Sequence, residues 1–400
     1  MKKYLPRSTS LIAHPYQPPA GFVSVQPPVH RASTIVFKDV ASMRARKWQE
    51  KVGYTYGLHG TPTTFMLEER IATLEGGLQT LLVPSGLASI TLVDMALLAA
   101  GDQVLIPDNA YGPGKEFARH ELAAWGVSHA FYDPMAPESL AAAMTPATKL
   151  VWIEAPGSVT MEFPDITALV ATPRERGVAI ALDNTWGAGL AFDPFALERL
   201  GDGHVAAVDI SVQALTKYPS GGADVLMGSV TTRDEALHQR IKATHMRSGF
   251  GVGGNDAELV LRSLPSLPLR YEAQARAGLT LAQWWSERPE IEKVLHPALP
   301  GSPGHEHWAR LCSDAAGLFS VVFDPRYSTR QVDAFVDALR IFRIGYSWAG
   351  PTSLVVPYDL ALLRGAPASS GKLVRFSLGL EAVGDLIDDC LQALAALDRN

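Results

Sequence analysis

Cysteine is nearly missing. Cys312 and Cys390 are the only two in 400 residues, which excludes a disulfide scaffold and a cysteine-rich zinc site. No segment is dense in Lys or Arg, and the formal net charge is −6. Nucleic acid and acidic membrane surfaces are therefore not expected as partners. Long hydrophobic runs are lacking too. The most apolar helical stretch, Gly86 to Ala100, carries Asp94 and is too short to span a bilayer. Pro6, Arg7 and His14 interrupt the start, so no signal peptide is expected and a cytoplasmic protein is the expectation. Charged residues make up 19% and hydrophobic residues 47%, a balance that gives a large core and excludes disorder.

Three regions are expected. Residues 1–60 carry Pro15, Pro18, Pro19, Pro27 and Pro28, which forbid long helices and central strands. This arm has little core of its own and is expected to pack on a second subunit. Residues 61–260 alternate short apolar runs with helical patterns. A helix is expected from Thr64 to Leu74. Runs follow at 80–83, 104–107, 149–153, 178–182, 208–212 and 226–230. Most are continuously apolar, as strands covered on both faces are. The reading is α/β, with a mostly parallel sheet flanked by helices. Residues 261–400 read as a smaller α+β domain. Strands are expected at Leu318–Phe323, Leu354–Val356 and Leu373–Ser377. Helices are expected at Arg270–Trp285, Thr329–Leu339 and Gly384–Leu397.

Ligands in open α/β sheets sit at the carboxyl ends of strands. Three such ends carry chemistry. After Val83 comes Ser85-Gly86-Leu87 opening a helix, where free backbone N–H groups can hold an anion. After Leu182 comes Asp183. After Val212 comes Gln213-Ala214-Leu215-Thr216-Lys217. An anion nest, a carboxylate and a lysine, in that order, are what a pyridoxal phosphate (PLP) enzyme needs: a phosphate cradle, an acid for the ring nitrogen and an imine-forming amine. Each taken alone is more commonly a cap, a turn residue or a surface lysine.

The chain resembles the PLP-dependent family of cysteine and methionine metabolism and, within it, the bacterial cystathionine β-lyases. The resemblance runs from about residue 50 nearly to the end. It rests on Leu74-Glu75-Gly76-Gly77, Glu154-Ala155-Pro156-Gly157-Ser158, Asp183-Asn184-Thr185-Trp186, Ala214-Leu215-Thr216-Lys217-Tyr218, the 296–301 stretch, Tyr346-Ser347-Trp348 and Gly379-Leu380-Glu381. It implies an aspartate aminotransferase-like fold. It makes Lys217 the residue bound covalently to PLP and Asp183 the partner of the ring N–H. Tyr111 would stack on the ring near the substrate amine. Ser85, Gly86, Leu87 and Thr216 would hold the phosphate. Arg375 would clamp the substrate α-carboxylate, a bidentate task suited to guanidinium, and Ser347 and Trp348 would line that pocket. Tyr56 would reach the phosphate of a neighbouring subunit, which implies a homo-oligomer, in relatives usually a tetramer built from two dimers. No metal is implied.

Departures from the family pattern concern the phosphate. Leu58 stands where relatives carry an arginine, and His59 is the nearest substitute. Ala214 replaces a serine, and Ser220-Gly221-Gly222-Ala223-Asp224 replaces a Gly-His-Ser-Asp pattern. Two further motifs are expected to carry no function. Gly249-x-Gly251-x-x-Gly254 follows no strand run, so it does not mark a dinucleotide site. His305-Glu306-His307 lacks the i, i+4 spacing of a zinc helix.

The implied activity is cleavage of the Cβ–S bond of L-cystathionine, giving homocysteine, pyruvate and ammonia; cystine-like thioethers present the same bond. Relatives that act at the γ-carbon read Ser-Leu-Gly-Gly-x-Glu-Ser-Leu, where this chain has Ser347-Trp348-Ala349-Gly350-Pro351-Thr352-Ser353-Leu354. Trp348 and Thr352 favour β-cleavage. The alternatives are a γ-lyase or acylhomoserine sulfhydrylase of the same family and, in another class, a non-catalytic binding or regulatory protein that kept the fold.

Overall fold

The computed structural model describes residues 21, 24–199, 205–359 and 372–398. Of the N-terminal arm read from sequence, positions 1–20, 22 and 23 lie outside the described residues. Among the described residues, fourteen strands follow in chain order. They are β1 (Gln79–Val83), β2 (Gln103–Pro107), β3 (Ser128–Tyr132), β4 (Thr148–Glu154), β5 (Ala179–Asp183), β6 (Glu198–Arg199), β7 (Val205–Ala206), β8 (Ile210–Gln213), β9 (Gly228–Thr232), β10 (Ile291–Leu295), β11 (Leu318–Phe323), β12 (Arg343–Ile344), β13 (Leu354–Tyr358) and β14 (Leu373–Ser377).

Seven of them form one sheet, in the order β1-β9-β8-β5-β4-β2-β3. The five from β8 to β3 run parallel, and β9 is antiparallel to both of its neighbours. The central strands are buried on both sides, which is why they appear as unbroken apolar runs. One apolar cluster, with Leu105, Val151, Ile153, Ile180 and Leu182, covers one face. Another, with Val104, Leu150, Ala181, Ile210 and Val212, covers the other. Each buried Leu, Ile or Val contributes about 1.5–3 kcal/mol. A second sheet, β10-β11-β14-β13-β12, packs Phe319, Val321, Phe323, Val374 and Phe376 against Trp285 and Leu386.

The local reasons for the helices are legible. Thr61 caps the helix Pro62–Glu75 through a reciprocal bond with Thr64, and Gly76, at φ +74°, ends it. The helix expected from Arg270 begins earlier, at Leu267, because Pro268 sits in the first turn, where its missing N–H costs nothing. Gly249, at φ +72°, closes the helix Glu235–Ser248, and a second helix, Gly254–Ser263, follows. The glycine triplet there is punctuation between helices and follows no strand. Strand β3 has no counterpart in the sequence reading. It is an edge strand, Ser-His-Ala-Phe-Tyr, with only Tyr132 fully buried.

Two buried carboxyl groups hold the frame. Asp389 accepts from the backbone N–H groups of Arg340, Ile341 and Phe342 at 2.7–3.2 Å, fixing the chain that enters β12. Glu75 lies under the ends of β5 and β8, where Asn184 (3.2 Å), Ser211 and Gln213 all donate to it. Burial pushes its pKa up to about 7 against those three hydrogen bonds.

Asp389→Ala should lower stability by about 2–4 kcal/mol, because three N–H groups, that of Phe342 buried and those of Arg340 and Ile341 part-buried, lose their acceptor; chemical denaturation with an unchanged m-value checks this. For Glu75 the folded state binds the proton more tightly than the unfolded state. Its contribution is present below about pH 4.5 and is lost as pH rises through about 7. The unfolding free energy should therefore fall between pH 5 and 8, and Glu75→Gln should flatten the slope by up to about 3 kcal/mol over that window.

Candidate active site

Where strands of the large sheet end, a cleft of about 680 Å³ opens against the second sheet. Ser85, Gly86, Leu87, Tyr111, Asp183, Thr216, Lys217, Ser347, Trp348 and Arg375 all line it. Tyr56 does not. It is 45% exposed, and the Ser33 hydroxyl donates to its phenolic oxygen at 3.3 Å.

Ser85 is extended, at φ −163°, and its hydroxyl accepts the Ala88 N–H at 3.0 Å to cap the helix Gly86–Leu97. The Gly86 and Leu87 amides fall in the first turn, where a helix offers no acceptor of its own. A Cβ on Gly86 would stand 2.5 Å from the Ala214 Cβ, so glycine is required for this helix start to approach the end of β8. Ala214 donates its N–H to the Thr185 hydroxyl at 2.9 Å. Thr216 donates its hydroxyl to the Met227 carbonyl at 3.1 Å. Thr185 and Ala214 thus tie the β5 and β8 ends together.

Asp183 ends β5 and accepts the Thr185 N–H at 3.0 Å. Burial raises its pKa; the Thr185 bonds and the Lys217 charge oppose this. Lys217 reaches from beyond β8 toward the second sheet and donates to the Ser347 hydroxyl at 2.5 Å, with its Nζ 5.3 Å from the centre of the Trp348 ring. Burial, then the Arg375 charge, lower its pKa to about 8, opposed by Asp183. Ser347 has φ +87° and Ala349 φ +67°, a left-handed backbone that costs an L-residue roughly 1–2 kcal/mol each. That turn places the Ser347 hydroxyl on Lys217.

Arg375, in the middle of β14, is 7% exposed. Its guanidinium donates to the Ser347 carbonyl at 3.3 Å and lies 5.3 Å from the Tyr358 ring centre. Among the described residues its Nε is buried with no partner, and such a donor calls for an acceptor from a ligand. Trp348 packs edge-on against Tyr218 at 5.6 Å, closing the pocket below Lys217.

The residues fit PLP. The close-packed helix start can take the phosphate, Asp183 the ring nitrogen, Lys217 the aldehyde carbon, and Arg375 a substrate carboxylate. Three contributors escaped the sequence reading as individual residues: Glu154, whose carboxylate accepts the Tyr111 N–H at 2.7 Å, Thr185, and Tyr358 beside Arg375. Glu154 and Thr185 stand inside motifs quoted above. Tyr358 carries no sequence signal, because only the β13–β14 pairing brings it to the arginine.

The chain matches, over residues 8–395, the family of Cys/Met metabolism PLP-dependent enzymes. It is 38% identical to the cystathionine β-lyase of Bordetella avium, covering 95% of this chain and 94% of that protein. It is 35% identical to cystathionine β-lyase MetC of Escherichia coli, covering 90% and 91%. Among solved structures, metB from Corynebacterium glutamicum superposes with a TM-score of 0.84 at 27% identity, over 98% of both chains. Other relatives bear different names: L-alanine/L-glutamate racemase of Wolbachia pipientis at 33% identity and cystathionine γ-lyase of Bos taurus at 34%. The resemblance read from the sequence holds, and the chain belongs to the Cys/Met metabolism PLP-dependent enzymes.

Proposed function

We propose that the protein is a carbon–sulfur β-lyase that converts L-cystathionine and one water to homocysteine, pyruvate and ammonia. The observation that carries the reading is the placement of Lys217. Its amine is depressed to about 8, bonded to Ser347 and set between Asp183 and Arg375 in one cleft. PLP, once bound, supplies the electron sink that makes the α-proton removable. The chain's own residues do the rest. Arg375 holds the α-carboxylate. Lys217 Nζ, neutral for a useful fraction near pH 8, takes the α-proton and can return it to the departing sulfur. Tyr111 forms the opposite wall, with its phenol pKa raised by burial first and then by Asp183 and Glu154, so it stays protonated and can donate.

Trp348 supports β- over γ-cleavage. The indole, braced by Tyr218, narrows the space beside Lys217. Thr352 is exposed, and Glu381 is instead engaged with Ser353, accepting its N–H at 2.9 Å and its hydroxyl at 2.7 Å. The γ-lyase name among the relatives keeps that second reading in view. The exposed Tyr56 outside its own cleft supports an oligomer in which it reaches a neighbour's phosphate. A tetramer, and division of the chain near residues 60 and 260, belong to the same proposal. A cytoplasmic setting is part of the same proposal; among the described residues no helix is long and apolar enough to cross a membrane.

Lys217→Ala should abolish both the visible absorption of bound PLP and turnover; normal turnover in that variant would overturn the mechanism. Cystathionine should yield pyruvate and no 2-oxobutyrate, and the reverse would establish γ-cleavage. The rate at which apoprotein captures PLP should rise about tenfold per unit below pH 8 and level off above it, as the neutral amine accumulates. Arg375→Lys should raise KM for cystathionine by about tenfold or more through loss of the bidentate contact.

A further inference from the structure

Glu154 is assigned no proton transfer or substrate contact above, yet it stands beside Asp183 and Tyr111, which are at the centre of the cleft. It ends β4, and the parallel register pairs it with Asp183 at the end of β5. Both line the cleft. Its Oε2 accepts the Tyr111 N–H at 2.7 Å. Tyr111 is the residue before the short helix Gly112–Phe117, has no side-chain cap there, and has its phenol half in solvent. The backbone bond to Glu154 is therefore a tether between a rigid strand end and a loop residue that must present a ring to the cleft.

The charges around the pair are set by several elements. Behind it is a void of about 20 Å³ whose wall includes Asp94, Glu154, Asp183 and Lys115. Asp94, on the helix Gly86–Leu97, accepts the Trp152 indole N–H at 2.8 Å, and burial pushes it up to about 7. Lys115, on the helix after Tyr111, donates to the Asp108 carbonyl at 2.7 Å. The Tyr111 phenol faces the pair from the loop, and Lys217 faces Asp183 from the cleft. Adjacent carboxyl groups, each half-buried at its strand end, cannot both ionise cheaply. Asp183 has the Lys217 charge and the Thr185 bonds in its favour. Glu154 is raised well above the usual range by burial first and then by Asp183, with the Tyr111 N–H and Lys115 opposing.

We propose that Glu154 is a positioning residue: its carboxyl oxygen holds the Tyr111 backbone, and of the adjacent pair it is Asp183, facing Lys217, that carries the charge. This rests on the PLP-dependent reading of the cleft. A glutamine would keep the acceptor oxygen and the neutrality. An alanine would release Tyr111.

The test uses wild-type holoenzyme, Glu154→Gln and Glu154→Ala, each loaded with PLP. Visible circular dichroism reports the asymmetry around the bound cofactor, and the pH midpoint of its absorption reports the charge at Asp183. Glu154→Gln should retain the dichroism, the midpoint and KM within about twofold, because the hydrogen bond and the charge are both preserved. Glu154→Ala should weaken the dichroism and raise KM for cystathionine about tenfold, the scale of one lost hydrogen bond to a placed group. Should the alanine variant not fold, Glu154→Asp, one methylene shorter, carries the same expectation. A midpoint shift of about one unit in Glu154→Gln would show that Glu154 carries the charge and overturn the proposal. Unaltered dichroism and KM in the truncated variant would overturn it too. If the wild type binds PLP but cleaves no cystathionine, the β-lyase reading fails, and the dichroism and the midpoint still decide the role of Glu154.

Discussion

One half-buried amine sets the terms for the rest. Lys217 leaves the end of a strand in the large sheet and meets the Ser347 hydroxyl of the segment that precedes β13 in the second sheet. Two sheets must be held in fixed relation for that 2.5 Å contact to exist. Burial is costly for an ammonium, and Arg375 adds a like charge; both favour the neutral amine. Asp183 opposes them, so the amine sits near the pH at which it can both accept and return a proton. The same low-dielectric surroundings raise Asp183, Glu154 and the Tyr111 phenol. A buried site that needs two opposite charges has to distribute protons among all its members.

Backbone strain gathers around the cleft. Val159 and Met161, both in its wall, have φ of +71° and +59°, and a β-branched residue is rare there. The buried Ser320 hydroxyl donates to the Val159 carbonyl at 2.6 Å and holds that loop. Ser320 is the cross-strand partner of Arg375, so the strand pair that presents the guanidinium also pins the opposite wall. Ser347 and Ala349 repeat the pattern on the other side. Such conformations persist only where the surroundings over-determine them.

Much of this was legible beforehand. The strands Leu318–Phe323 and Leu373–Ser377 match β11 and β14 at both ends. Continuous apolar runs correctly indicated strands covered on both faces. Polar strands were harder: Val208–Val212 was expected two residues too early, because Asp209, which accepts the Ile180 N–H at 2.9 Å, belongs to the entry of β8 and not to its ladder. The edge strand β3 lacked a buried face and so a hydrophobic signature. Ten of the residues expected at the site line one cleft. Thr216 was expected to offer its hydroxyl to phosphate; that hydroxyl also bonds the Met227 carbonyl, a contact no local pattern foretells.

Taken alone, the chain order of residues indicated the α/β architecture and brought Asp183 and Lys217 forward as candidates, because apolar runs and strand-end motifs are short-range and survive in one dimension; the family, and with it the candidates Tyr111 and Arg375, came from the resemblance of whole motifs. Tertiary structure decided the electrostatics. The Glu154–Asp183 adjacency comes from sheet register. The Tyr358–Arg375 contact comes from strand pairing. The lowered Lys217 pKa comes from a guanidinium 158 positions away in the chain. Proton affinities depend on distance and on exclusion of water, and neither is encoded by the spacing of residues along a chain.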